Sequence, residues 1–571
     1  MDDPTALGDA PPPAPARTLV DLLERRRHDH GHGIVLHDHV WTWAGAVAES
    51  DRWGAALDVA IGSGIRHVGL LMENTPEYLL ALFGAAGQGI TTVGVNTTRR
   101  GEELRRDLDH TDCAVVLTDP ASAPLLDGLD LGTTTVFDVT SDSWHRALAD
   151  ATEAATTSSA AGEPRPVAPG DPLLLIFTSG STSAPKAVVM SHGRAARMAE
   201  AAIWFGPDDV LYSAMPLFHG NALNAIVFPA LATGATIALR ERFSASAFVD
   251  DLRRYGATFF TSVGRAVGYV LATPERPDDR DHSVKFALAP ESSPADVREF
   301  RRRFGITCVA GYGSSENAVI FVPVAGMPRD ALGKPQDGIE AAVVDADTGR
   351  PCPPATFDEH GRMTNAEEAI GEIVGLNVLD RFEGYYANPE ADAERSRNGW
   401  FWTGDLGYVD EAGFFYFAGR QGDWLRVDSE NFATAPIERI LGRFEGAAAV
   451  AVFAVPDERT ADDQVMAAIE PVDGVAFDPD AFAAFLADQA DLGTKWAPRY
   501  LRVGPLPVGA TNKIDRRRLQ RERWYTDDPL YWRPTTGPTT TAGLDFAPFG
   551  PADREALEAR FAEHGRSPTR P

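Results

Sequence analysis

The sequence predicts an α/β protein, with a large N-terminal body of helix-covered, mainly parallel sheets followed by a small α+β domain. Two observations carry this reading. Short apolar, β-rich runs alternate with helical patterns up to about residue 420, which is the signature of parallel strands joined by covering helices. The pattern then changes character after the aromatic run 414–417 and starts again on a smaller scale. With 571 residues, 44% hydrophobic and 24% charged, the chain can bury a large core, in roughly two to four domains.

Taken in order, residues 1–17 hold few large apolar side chains and read as a disordered leader, with folding starting near Thr18. A strand over 67–72, a helix over 76–87, a strand over 90–95, a helix over 102–110 and a strand over 114–118 follow. Residues 151–170, rich in Ala, Ser, Thr, Pro and Gly, read as a surface loop leading into a strand over 173–177, and 208–215 and 235–239 read as further strands. The first body spans 18–421. A small domain spans 422–525, with strands over 449–455 and 465–469 and a helix over 479–489. Residues 526–571 read as a Pro/Thr-rich tail with one helical segment near 551–563. No repeat at solenoid periods is visible.

Acidic residues number 82 against 53 Lys plus Arg, a net charge of −29 spread along the chain. That balance argues against a nucleic-acid partner and disfavours adhesion to anionic lipid, because phosphate binding needs a basic face, but it leaves room for one local groove that takes a nucleotide. Cys113, Cys308 and Cys352 stand far apart without a C-x-x-C pair, which supports neither a disulfide framework nor a cysteine zinc site. The histidines His28, His30, His32, His37 and His39 invite a metal reading, yet they lie on a charged helix end and turn near the leader. Neither a signal peptide nor an apolar run of the ~18 residues a membrane span needs is present, so a cytoplasmic chain without a membrane span is expected.

The strongest local signal is the run from Leu173 to Met190. An apolar strand enters Thr178, Ser179, Gly180, Ser181, Thr182 and Ser183, then Pro185 and Lys186, and a second apolar strand follows. Such a turn offers backbone N–H and hydroxyl donors to phosphate oxygens, and the lysine adds charge. It is not a Walker loop, since Pro185 precedes the lysine and Ala187 follows it. Taken alone, the run reads equally well as an ordinary Ser/Thr hairpin loop.

Further motifs in order make the pattern specific: residues 289–294, which include Glu291; Gly311, Tyr312, Gly313, Ser314, Ser315 and Glu316; Trp402, Thr403, Gly404 and Asp405; Gly419 and Arg420 followed by Asp423, Arg426, Glu430, Pro436 and Glu438; and Asn512, Lys513 and Ile514 before Arg516. Together with the hydroxyl-rich loop, these resemble the nucleotide loop, the adenine-side loop, the Tyr-Gly-x-Thr-Glu motif, the Thr-Gly-Asp motif, the hinge and the catalytic-lysine motif of the adenylate-forming superfamily. That superfamily includes acyl-CoA and aryl-CoA synthetases, luciferases and adenylation domains, and the resemblance covers roughly 18–524.

The resemblance implies a large adenylation domain with a mobile small domain that rotates about the hinge between half-reactions. It also implies ATP, Mg²⁺ and CoA as cofactors. In that frame Thr178, Ser179, Gly180, Ser181, Thr182, Glu291, Tyr312, Gly313, Ser315, Asp405 and Arg420 hold the nucleotide, with Asp405 on the ribose hydroxyls and Tyr312 on the adenine. Glu316, with Ser181, would coordinate the metal. Lys513 and Lys186 would stabilise charge during attack on the α-phosphate, and His219, in a Pro-Leu-Phe-His-Gly run, would border the acid's carboxylate.

Four positions depart from the usual motifs: Ser183, Ala187, Ser429 and Asn512 each stand where relatives carry glycine. None removes a charged group. Because Ser429 lies near the expected pantetheine entrance, two second steps stay open. One is thioester formation from a fatty or aryl acid. The other is a diazotase reaction, in which nitrite is activated and delivered to the amine of an aromatic amino acid without CoA. The partner is a small-molecule acid in the first case; oligomeric state is not legible.

Overall fold

A computed structural model describes all residues except 1–13, 158–164, 179–185, 203, 291, 293, 310, 329–330, 360–362, 421–423, 428–429, 459–462, 490, 493–494, 509–512, 535–544, 565–567 and 569–571. The chain forms two compact units. The first comprises Met1–Thr261 with Asp281–Lys285 and Glu383–Asn388, and the second Ser262–Arg280, Phe286–Phe382 and Pro389–Pro571.

In the first unit a six-stranded sheet runs in the order Thr135–Asp138, Val115–Thr118, His67–Leu71, Thr91–Gly94, Pro172–Thr178, Lys186–Ser191. Its first five strands are parallel and the last returns antiparallel. The central strands are buried throughout, as expected where helices cover both faces. The helix Pro76–Gly87 opens on a proline at its first turn and buries nearly its whole surface. It crosses the helix Trp43–Ile61 so closely that a Cβ on Gly54 or Gly84 would strike the other helix's backbone, which is why two glycines meet there.

The open edge of that sheet, Lys186–Ser191, is covered by a strap from much later in the chain. Val189 N donates to Gly384 O at 3.0 Å and Tyr386 N to Ala187 O at 2.8 Å, while both oxygens of Glu383 are held by Ser191, through its N at 2.7 Å and its Oγ at 2.6 Å. A second sheet in the same unit orders Phe259–Thr261, Val210–Ser213, Thr236–Leu239, His32–Leu36 and His39–Thr42.

One expectation fails here. Residues 151–157 belong to the helix Asp142–Thr157 and not to a loop, because the alanines favour helix and Trp144, Leu148 and Ala151 are all buried along it. Near the N-terminus, Thr18 caps the helix Leu19–Arg26, and Ala16 N donates to Glu200 Oε1 at 2.8 Å. Among the described residues, no helix is long and apolar enough to cross a membrane.

In the second unit an antiparallel sheet places Gly371–Gly375 between Ala341–Val344 and Trp400–Val409, and Trp400–Val409 also pairs with Ser396–Arg397 and Phe415–Arg420. The small domain carries its own sheet, ordered Ala447–Pro456, Asp463–Pro471, Tyr500–Val503, Leu530–Trp532, Ala547–Pro548. One face packs Ile437, Val452, Phe482 and Leu501. The opposite face packs Val455, Met466, Leu519 and Trp524 with Leu557 and Phe561 of the helix Pro551–Glu563. The last two strands and this helix come from the segment that reads as a tail in the sequence.

Candidate active site

In the first unit the hydroxyl-rich run sits between two paired strands, with Thr178 directly opposite Lys186. Ser179, Gly180, Ser181 and Thr182 lie outside the described residues. Lys186 is buried, and its Nζ lies 5.7 Å from the centroid of the Tyr385 ring on the strap, within reach of a cation–π attraction. His219 heads the short helix Gly220–Ala222, where its Nδ1 faces the N–H of Asn221. A π-helical turn, Leu223–Val227, follows at once; such widened turns are frequent at functional sites. Thr261 Oγ1 donates to Asn221 Oδ1 at 2.6 Å, which ties this loop to the end of a neighbouring strand.

In the second unit, Tyr312 and Phe321 form an isolated antiparallel bridge, with Phe321 N donating to Tyr312 O at 3.2 Å. The bridge closes a loop that contains Gly313, Ser315 and Glu316. Asn317 turns the chain at φ 54°, a conformation asparagine tolerates better than most residues. Glu316 is buried there at 6% exposure, beside the core residues Ala318 and Val319. Glu291 of the adenine-side loop lies outside the described residues.

Tyr312 Oη donates a 2.6 Å hydrogen bond to Asp405 Oδ2, so the structure brings these two predicted residues together. Asp405 also stands opposite Arg420 in the strand ladder. Asp405 occupies a bulge: between the pairs Glu372–Leu406 and Val374–Trp402 the register shifts, so that Thr403, Gly404 and Asp405 face Ile373. Four side-chain contacts hold the bulge. Thr403 Oγ1 donates to Ile373 O at 2.7 Å and accepts from Asp405 N at 3.1 Å. Arg395 Nη1 donates to Trp402 O at 3.1 Å, and Glu372 Oε1 accepts from Gly404 N at 2.8 Å. Gly404 has φ 72°, and a Cβ there would collide with the Arg395 guanidinium.

Lys513 is half-buried in the small domain, next to the bridge between Val508 and Ile514. Asp515 then caps the turn Arg516–Glu522 by accepting from Arg518 N at 3.0 Å. Arg516 pairs with Glu438 at 2.7 Å, and Glu438 also accepts from Val452 N at 2.8 Å. The hinge residue Asp423, along with Ser429 and Asn512, lies outside the described residues.

Residues 23–374 match the model of the family described as AMP-binding enzyme. The chain belongs to the AMP-binding enzyme family. Its relatives include the steroid-22-oyl-CoA synthetase of Rhodococcus jostii, 47% identical over 96% of this chain and 98% of that protein. A medium/long-chain-fatty-acid–CoA ligase of Mycobacterium marinum is 41% identical over 90% of this chain and 98% of its own. The ATP-bound MatB structure from Rhodopseudomonas palustris superposes with a TM-score of 0.75 at 23% identity, covering 90% of this chain and 100% of that one, and shows the same fold. This AMP-binding enzyme is therefore an AMP-forming ligase of the acyl-CoA synthetase type. The diazotase alternative is not supported, because relatives that align over nearly the whole chain bear CoA-ligase names.

Two features of this AMP-binding enzyme escaped the sequence reading. Glu372 is a carboxylate inside the otherwise apolar, fully buried strand Gly371–Gly375, and that mismatch was the available signal. The strap over Lys186–Ser191 left none, since its pairing partners lie so far apart in the chain.

Proposed function

We propose that this AMP-binding enzyme converts a bulky apolar acid, either the carboxylated side chain of a steroid or a medium- to long-chain fatty acid, to its CoA thioester. The substrate carboxylate attacks the α-phosphorus of ATP and pyrophosphate leaves. The CoA thiol, losing its proton, then attacks the acyl carbonyl and AMP leaves. The observation that carries the nucleotide half of this reading is the hydrogen bond from Tyr312 to Asp405. It aims a carboxylate, which can accept from two adjacent ribose hydroxyls, beside an aromatic ring that can bound the adenine.

In this reading Lys513 places its ammonium at the α-phosphate, where negative charge builds as the carboxylate attacks. Thr178, Ser179, Gly180, Ser181 and Thr182 cradle the outer phosphates, and Lys186 moves off the Tyr385 face to meet them. Glu291, Gly313, Ser315 and Arg420 border the nucleotide. His219 faces the acid's carboxyl at the start of the π turn, whose apolar residues Leu223, Ile226 and Val227 suit a hydrocarbon substrate.

Glu316 suits Mg²⁺. It is a buried carboxylate, and Mg²⁺ commonly takes one or two carboxylates while substrate phosphates and water complete its octahedron; Ser181 would add an oxygen. The ion would neutralise phosphate charge. The experiment is AMP release from ATP, with and without CoA, over steroid side-chain acids, fatty acids and aryl acids. CoA-dependent release with an apolar acid supports the proposal, and CoA-independent turnover would overturn it.

A further inference from the structure

Glu372 is 1% exposed, and its strand is otherwise apolar. Removing a carboxylate from water is costly unless it is fully paired, and burial pushes this one's pKa up. Yet its hydrogen bonding is minimal. Oε1 accepts from Gly404 N, whereas Oε2 is buried with no hydrogen-bond partner among the described residues, and Arg397 Nη2 stands 3.6 Å away. A residue needed only to fill the sheet would be better served by an aliphatic side chain. What the carboxylate does accomplish is local. The bulge strips Gly404 N–H of its place in the ladder, and Glu372 replaces the missing acceptor. From the other side the Arg395 guanidinium lies where a Cβ of Gly404 would be and binds Trp402 O. The turn is thus clamped between a carboxylate and a guanidinium, and the next residue is Asp405.

We infer that Glu372 is a positioning residue for nucleotide recognition: by holding Gly404 N–H it fixes the bulge that aims Asp405 at the ribose hydroxyls of ATP. The inference rests on the ribose reading of Asp405 given above. It separates Glu372 from a residue that merely stabilises the sheet, because a misaimed Asp405 loses ribose selectivity, whereas a looser sheet weakens every nucleotide alike.

The test compares calorimetric binding of ATP and 3′-deoxyATP to the full chain, in the unaltered protein and in Asp405→Ala, Glu372→Ala and Glu372→Gln. The unaltered protein is expected to favour ATP about tenfold or more, since a site built to bond a hydroxyl rejects the analogue lacking it. Asp405→Ala and Glu372→Ala should both bring the ratio close to one, while Glu372→Gln, whose amide oxygen can still accept from Gly404 N, retains most of it. Should Glu372→Ala not yield folded protein, Glu372→Asp replaces it, because its shorter arm cannot reach Gly404. An intact ratio in the Glu372 variants beside a lost one in Asp405→Ala overturns the positioning role. Equal weakening of both nucleotides by Glu372→Ala overturns it as well. An intact ratio in Asp405→Ala shows that the ribose reading itself is wrong, and the positioning role falls with it.

Discussion

The phenol of Tyr312 and the carboxylate of Asp405, 93 residues apart in sequence, share a 2.6 Å hydrogen bond that joins the base of a loop to a strand bulge. A hydrogen bond to a charged acceptor contributes about 1.5–3 kcal/mol. Tyr312→Phe should therefore weaken ATP binding by about tenfold, the lower end of that range, because the ring that bounds the adenine remains. Calorimetry with ATP checks this, and an unchanged affinity would detach Tyr312 from nucleotide recognition.

Lys513 is half-buried beside a bridge in a loop and belongs to neither core of the small domain. Lys513→Ala should cut acid-dependent ATP–pyrophosphate exchange by about a hundredfold or more while leaving the melting temperature nearly unchanged. Unimpaired exchange would remove Lys513 from the chemistry.

His192 is fully buried at the start of the helix His192–Glu200, and neither ring nitrogen has a hydrogen-bond partner among the described residues. Burial holds its pKa down at about 4, against an ordinary 6.5. Above pH 6.5 the ring is neutral both folded and unfolded, so the full stability is present. Below that the unfolded chain takes a proton that the fold refuses, and stability falls until about pH 4, by about 3 kcal/mol in total. Denaturant titrations between pH 7 and pH 4 should show this slope reduced in His192→Leu; the same slope in both proteins would assign the acid sensitivity to other groups.

Phe561 is fully buried, with its ring 6.2 Å from that of Trp524. Phe561→Ala should cost about 3–5 kcal/mol of small-domain stability, read as early unfolding of one transition in a thermal melt. A melt unchanged within a degree or two would mean that the helix Pro551–Glu563 does not support that domain.

The fold was largely legible because its main elements are periodic. The helix Pro76–Gly87 follows its apolar spacing and the proline at its start, and the strands Pro172–Thr178 and Asp463–Pro471 bracket the apolar runs that predict them. Illegible parts depend on partners distant in sequence. Leu557 and Phe561 are two apolar residues in an acidic, alanine-rich segment, and only the waiting face of the small-domain sheet makes them core. Likewise Glu372 acquires meaning from Gly404, 32 residues later. Motif resemblance named Tyr312 and Asp405 separately. The bulge that brings Asp405 to Tyr312 required the strand register, because no local pattern encodes a three-against-one mismatch.

The strap over Lys186–Ser191 also constrains how the chain is made. Ala187, Val188 and Met190 are buried in the finished protein, yet their outer hydrogen-bonding edge has no mate until Gly384 and Tyr386 exist. At ribosomal speeds of about 5–20 residues per second, the roughly 200 intervening residues take on the order of 10–40 seconds. For that interval a nascent chain displays a flat, apolar strand edge of the kind that templates aggregation. The late strap therefore acts as a gatekeeper of solubility during synthesis, and substitutions that loosen Glu383 or Gly384 should lower the yield of soluble protein before they alter the melting of what does fold.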